Sequence, residues 1–146
     1  SDPIEIRSKI PFGKNISDFV IKHSDKTYAL VEIEKPNERI FQKDNSEPTS
    51  KYNHACQQVK DWQRYVRDNV HTVRTEQNFP GMDSPKGIVI IGRSKDIQGE
   101  AAERRWRDMK ISGDIMPFTY DEICERVKAK AMMLKEVIKS KIEVVK

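Results

Sequence analysis

Three acidic side chains lie in the segment 16–37 at positions that a single β-hairpin would bring together. If the chain reverses at the polar turn 24–26, facing residues have numbers that add up to 50, and Asp18 lies opposite Glu32. Glu34 shares their face because strand side chains alternate with period two. Like charges directly opposite one another destabilise a sheet, whereas a bound divalent cation compensates them. The hairpin is therefore a candidate metal-dependent active site.

The two faces of this hairpin offer the acids different neighbours. We expect the face away from the acids to form core, through Phe19, Ile21, Val31 and Ile33. We expect four residues to surround the acids on their own face, namely Ile16, Val20, Tyr28 and Leu30. Such neighbours would partly desolvate the carboxylates, and buried anions require a cation or protons. The alternative is an asymmetric turn, with some of the acids on an exposed edge.

The segment 51–69 has the periodicity of an amphipathic helix. Its apolar stripe consists of Ala55, Val59, Trp62 and Val66. A polar stripe runs beside it, formed by His54, Gln58, Asp61 and Tyr65. These polar residues either border the acidic end of the sheet or are boundary residues that bond to nearby backbone. Zinc is not expected here, because no second His or Cys stands at ligand spacing.

The other segments predict the element order βββ-α-β-α-β-α. The predicted strands are 4–10, 16–23, 27–35, 87–92 and 115–119, and the later helices are 98–110 and one that starts near 119, with 72–86 as loop. Thr119 and Glu122 have capping-box spacing at the start of the last helix. The apolar stripe of that helix is Ile123, Val127, Leu134, Ile138 and Ile142. This order predicts an α/β (α+β) domain, with a central mixed β-sheet flanked by helices.

Length and composition indicate one domain, residues 1–146, of a cytoplasmic protein. The 146 residues contain no apolar run near the 18 of a membrane span, so no membrane partner is expected. The two cysteines are predicted to be reduced thiols. Because the chain opens with Ser1 rather than Met, we expect a fragment excised from a longer protein.

The net charge of +4 and the pI of 9.0 permit a polyanionic partner without requiring one. The basic residues considered for such a partner are Arg93, Arg104, Arg105 and Arg107. A solvated helix face explains the same arginines. The chain lacks the signatures of two other enzyme classes, since it has neither a G-x-S-x-G nucleophile elbow nor a phosphate-binding P-loop.

The acids and the element order together resemble the PD-(D/E)XK, or restriction endonuclease-like, nuclease core. A closer likeness is to the nuclease domain of the Shedu family of bacterial antiphage-defence proteins. Five segments carry it, in order SDFVI, LVEIEKPNERIF, HACQQVKDWQRYV, GIVIIGR and FTYDEI. They extend over most of the chain, from about residue 10 to residue 125.

The resemblance implies roles for particular residues. Asp18 and Glu32 match the two acids of the motif and would be the metal ligands. Glu34 stands where many members of the superfamily have lysine, and it would act as a further ligand or as a general base on water. Gln58 matches a glutamine that borders the site in related nucleases. His54, Asp61 and Trp62 belong to the same helix signature, in which Trp62 is expected to be structural.

The function implied is metal-dependent hydrolysis of DNA phosphodiester bonds in bacterial antiphage defence. Mg²⁺ is the expected cofactor, with Mn²⁺ able to substitute, and DNA is the expected partner. Two alternatives stay open: a nucleic-acid-binding or sensing module of the same fold with weakened catalysis, and an assembly domain whose last helix packs against another subunit. A homo-oligomer, through regions inside or outside this segment, is compatible with each of these functions.

Overall fold

The computed structural model describes residues 2–111 and 113–145 and has a single mixed sheet at its centre. Its strands are β1 (Pro3–Phe12), β2 (Asn15–His23), β3 (Tyr28–Ile33), β4 (Lys86–Ile90) and β5 (Ile115–Phe118). The strands are ordered β1-β2-β3-β4-β5, with the first three antiparallel. The β3–β4 and β4–β5 pairs are parallel. Parallel neighbours need long crossovers, which the intervening helices provide.

In the described residues, four α-helices accompany the sheet. They are α1 (Ser50–Asp68), α2 (Val70–Thr75), α3 (Glu100–Ile111) and α4 (Tyr120–Val145), with a 3₁₀ turn at Ser94–Asp96. The predicted element order is confirmed, apart from α2, which overlaps the predicted loop 72–86. A helix of six residues is too short for periodicity to reveal, and it is positioned by Val73, which is fully buried.

The register of the β2–β3 hairpin is the predicted one. Phe19 pairs with Val31 and Val20 with Leu30, so facing numbers add up to 50. The turn is closed by Asp25, whose carboxylate accepts hydrogen bonds from the N–H and the hydroxyl of Thr27 at 3.0 and 2.6 Å. Continuation of this register places Asp18 across from Glu32.

The prediction that the face away from the acids forms the core was right only for Val31. Val20, Leu30 and Val89, on the same face as the acids, are buried in the main core with residues of α1. On the other face Val31 is buried, but Phe19, Ile21 and Ile33 are only half-buried. Of the residues expected to surround the acids, Ile16 is exposed. Alternation within a hairpin distinguishes its two faces, but the helix that packs on the hairpin decides which face is buried in the main core.

The helix that decides this is α1, and its apolar stripe is buried as predicted, with Ala55, Val59, Trp62 and Val66 inside the core. It approaches β4 at Gly87, which pairs with Leu30. A Cβ atom at Gly87 would lie 2.4 Å from Cγ1 of Val59 and 2.9 Å from Cγ1 of Ile115. Both distances are shorter than van der Waals contact, so α1 can pack this closely on β4 only because residue 87 is a glycine.

The helix α4 has the predicted capping box. The N–H of Glu122 donates to the Thr119 hydroxyl at 3.1 Å, and the Glu122 carboxylate accepts the N–H of Thr119 at 2.9 Å. Its apolar stripe is half-buried at Ile123 and exposed beyond it, at Val127, Leu134, Ile138 and Ile142. No helix within the described residues is long and apolar enough to cross a membrane.

Replacing Gly87 by alanine tests the packing of α1 on β4. We expect the free energy of unfolding to fall by about 1–3 kcal/mol, because the added methyl group overpacks the contact with Val59. Glycine to alanine within a strand is otherwise favourable, so a loss of stability is informative. Urea denaturation of the single variant measures the loss.

The double variant Gly87→Ala/Val59→Ala serves as the control. If the two side chains meet, the destabilisations are less than additive, since Val59→Ala makes room for the new methyl group. Full additivity, or a Gly87→Ala variant as stable as the wild type, would contradict the packing.

Candidate active site

Three carboxylates converge near the carboxyl end of β3. Glu32 is 9% exposed, and the side chains of Asp18 and Glu34 are 23% and 12% exposed. Backbone bonds hold two of the acids: the N–H of Ile33 donates to Oδ2 of Asp18 at 2.8 Å. The N–H of Glu34 donates to the carbonyl of Ile90 at 2.8 Å, which extends the parallel pairing by one residue. The acids are therefore fixed by the sheet itself.

The environment of Glu32 favours its protonated form. Burial, followed by the charges of Asp18 and Glu34, raises the pKa of Glu32 from 4.5 to about 8. Without a compensating cation, this carboxyl group keeps its proton at neutral pH. A divalent cation would favour release of that proton, because it stabilises the ionised form.

The acids suit an oxygen-binding cation with an incomplete protein shell. In the described part of the chain, no group of three or more His, Cys, Asp or Glu side chains is arranged to hold a metal ion. Mg²⁺ is commonly held by one or two carboxylates, with waters and substrate phosphate as its other ligands. The pair Asp18 and Glu32 fits that pattern, and it does not fit zinc, which prefers nitrogen and sulfur.

Residues that the sequence did not single out complete the surroundings of the acids. Lys9 reaches Oδ1 of Asp18 at 3.3 Å, and Lys51 reaches Oε2 of Glu34 at 3.6 Å. The hydroxyl of Tyr120 donates to the backbone carbonyl of Glu34 at 2.6 Å. Burial, and then the charges of Glu34 and Asp18, raise the pKa of Tyr120.

One of these two basic residues, Lys51, has a signal in the sequence. Lys51 stands in the first turn of α1, where a positive charge opposes the helix dipole and acidic residues are usual. Lys9 has a φ of 56°, a left-handed conformation uncommon outside glycine. The unusual φ of Lys9 is a property of the folded backbone and is not visible in the sequence.

The polar stripe of α1 is not joined to the acids. His54 is exposed, and Gln58 and Asp61 are half-buried. The Asp61 carboxylate accepts a 3.0 Å bond from Gln57, its neighbour on the helix. Across residues 2–111 and 113–145, no hydrogen bond or ion pair links His54, Gln58 or Asp61 to the three carboxylates. Their roles stay predictions.

The remaining members of the helix signature are structural. Trp62 is buried, as expected. The ring of Tyr65 packs on Phe12 with 6.0 Å between centroids, and it lies over Gly13. The far end of the polar stripe therefore supports the β1–β2 turn.

Most of the arginines proposed for DNA are engaged with acids of this chain. Arg93 binds both carboxylate oxygens of Asp121, at distances from 2.8 to 3.1 Å. This contact, with the N–H of Ser94, lowers the pKa of Asp121 to about 2. Arg104 pairs with an acid of its own helix and Arg105 with Glu47. These arginines do not form a free basic surface.

Taken together, the fold and the site define an α+β domain whose mixed sheet carries a cluster of carboxylates beside a covering helix. The family described as "Shedu protein SduA, C-terminal" matches residues 3–124. The chain belongs to this family.

Two solved structures are similar over most of this chain. One is a repair endonuclease from Pyrococcus abyssi, with 13% identity and a TM-score of 0.41 over 80% of the chain. The other is EndoMS in a complex with double-stranded DNA, with 14% identity and a TM-score of 0.38 over 81%. The chain spans only 37% and 36% of the length of these two proteins. No curated protein matches the chain.

The raised pKa of Glu32 predicts how the stability of the metal-free protein depends on pH. Between about 4.5 and 8 the folded state keeps a proton on Glu32 that the unfolded state releases. The contribution of this group is therefore most favourable below pH 4.5, and stability is lost as the pH rises through this window. We expect Glu32→Gln to remove that loss and to be more stable than the wild type at pH 8, by an amount on the order of a few kcal/mol.

Chemical denaturation in a chelator, at several pH values from 5 to 9, measures the effect. The control is Glu76→Gln, at an exposed carboxylate outside the site. A wild type and a Glu32→Gln variant with parallel pH profiles would refute the proton-retaining carboxyl group.

Proposed function

We propose that this domain is a metal-dependent DNA endonuclease of bacterial antiphage defence that binds its cation through Asp18 and Glu32. The observation that carries the proposal is the burial of Glu32 beside two other acids. Repulsion among them is relieved by a proton or a cation, and an all-oxygen pair favours Mg²⁺, with Mn²⁺ able to substitute. Membership of the Shedu family and the resemblance of the motif support the same function.

The cation would contribute a bound water of lowered pKa and would stabilise the charge that develops on the phosphate. The residues of the chain then have separate tasks. The hydrogen bond from Ile33 keeps the Asp18 carboxylate oriented towards Glu32. On binding the cation, Glu32 would release its proton to solvent and would act as an ionised ligand.

Hydrolysis forms a bond between a water oxygen and phosphorus and breaks one ester bond of the phosphodiester. We assign the proton of the attacking water to Glu34, whose position is set by its backbone bond to Ile90. The leaving oxygen takes its proton from solvent. Gln58, half-buried on the helix that covers this face, is assigned to positioning water or substrate, and His54 and Asp61 are assigned no step.

A DNA-binding or sensing module with weakened catalysis is the second candidate. Two observations favour it: an acid stands at position 34, and the described residues contain no preformed group of three metal-binding side chains. Such a module would bind duplex DNA equally well with and without a divalent cation.

Conversion of supercoiled plasmid to nicked or linear forms tests the proposal. We expect cleavage with Mg²⁺ or Mn²⁺ and none in a chelator. Asp18→Asn and Glu32→Gln should each lower the rate by roughly 10²-fold or more, because each removes one of two carboxylate ligands.

Asp68→Asn is the matched control, since Asp68 is an exposed carboxylate at the end of α1. It should cleave at the wild-type rate. Cleavage that persists in both site variants would reject the assignment of the site, and metal-independent binding without cleavage would favour the sensing module.

A further inference from the structure

The candidate site presents negative charge to a substrate that is itself negative. In the proposed function a phosphodiester would enter beside the three carboxylates, and a cation held by two of them would compensate only part of their charge. Proteins commonly bind phosphate groups through lysine or arginine side chains. Among the described residues, the ammonium groups that contact these acids belong to Lys9 and Lys51.

Lys51 is the better placed of the two. Its side chain is 47% exposed while its partner Glu34 is 12% exposed, so the ammonium group lies between a buried carboxylate and solvent. Lys9 contacts Asp18 from the edge strand β1, and its side chain is 74% exposed. An incoming phosphate would therefore meet Lys51 at the mouth of the site, with less freedom lost on ordering the side chain.

The backbone around Lys51 is held firmly by its neighbours. The N–H of Thr49 donates to the carbonyl of Ile40 at 2.8 Å, and its hydroxyl donates to the carbonyl of Arg39 at 2.7 Å. The same hydroxyl accepts the N–H of Tyr52 at 3.2 Å and caps α1. Lys51 thus belongs to a fixed first turn.

Helix stability does not account for a lysine at this position. The first turn of α1 contains no acidic residue, and the helix dipole disfavours a positive charge there. The contact with Glu34 is partly exposed, and ion pairs of that kind contribute little to stability. An ammonium group set against the dipole and aimed at the acids suits the binding of an anion.

We propose that Lys51 is a phosphate-binding residue of this site, held by Glu34 so that its ammonium group contacts the DNA backbone at the scissile phosphodiester. The inference rests on the proposed nuclease function and deepens it. Because Nζ of Lys51 and Oε2 of Glu34 are 3.6 Å apart, a lysine at position 34 would bring its ammonium group close to the same place. Lys51 can therefore supply the positive charge that a glutamate at position 34 does not.

The experiment compares Lys51→Ala and Lys51→Arg in single-turnover cleavage of duplex DNA with Mg²⁺. We expect Lys51→Ala to lower the rate by roughly 10²-fold. Lys51→Arg should stay within about tenfold of the wild type, because it keeps the charge. The control is Lys60→Ala, an exposed lysine of α1 that makes no ion pair with the three acids in the described residues, and it should cleave at the wild-type rate.

A second measurement does not depend on cleavage. Binding of a duplex in Ca²⁺, at several salt concentrations, gives the number of phosphate contacts, and Lys51→Ala should reduce the slope of log affinity against log salt by about one. Thermal unfolding of each variant confirms that it folds.

Each outcome has a distinct meaning. Wild-type cleavage by Lys51→Ala, or a Lys51→Arg variant that cleaves no faster than Lys51→Ala, would overturn the phosphate-binding role. If the wild type cleaves DNA with none of the metals tested, the proposed function is overturned instead. In that case the salt slope decides: an unchanged slope in Lys51→Ala rejects Lys51 as a DNA contact, and a reduced slope supports it.

Discussion

The contact between α1 and the sheet at Gly87 is the one on which the rest of the structure depends. Only a residue without a Cβ atom lets Val59 lie so close to β4. That approach buries Leu30 and Val89 and makes one face of the sheet the core. The same helix begins beside the carboxyl end of β3, where Lys51 meets Glu34. One packing contact therefore determines both where the core lies and what surrounds the acids.

The electrostatics of the acids follow from that placement. On an exposed hairpin, three carboxylates would be screened by water and would repel one another only weakly. Beside a covering helix, Glu32 loses most of its hydration, and its pKa rises to about 8 under the added influence of Asp18 and Glu34. The folded chain thus holds a site whose charge state depends on what binds there. Lys9 and Lys51 offset part of the negative charge from the solvent side.

Local rules predicted much of the fold because they act over a few residues. Period-two alternation and a short polar turn were enough to predict the pairing of Val20 with Leu30, and helical periodicity identified the buried stripe of α1. The same rules identified α4 and its capping box, but they did not determine that its apolar stripe beyond Ile123 is exposed. An apolar stripe shows that a helix can be covered, but it does not show by what. The rules failed for α2, where a single buried valine positions a helix too short to have a stripe.

By itself, the sequence determined the element order apart from α2, and the facing of Asp18 and Glu32, because strand and helix periods are properties of the local chain. Only the tertiary structure decided which face of the hairpin packs into the main core. That depends on the contact of Val59 in α1 with Gly87, which lies 28 positions further along the chain. The tertiary structure also decided that Lys51 and Tyr120 contact Glu34, while His54 points to solvent and Asp61 bonds along its own helix. Ion pairs between distant segments depend on how the segments pack, and no spacing within one segment encodes them.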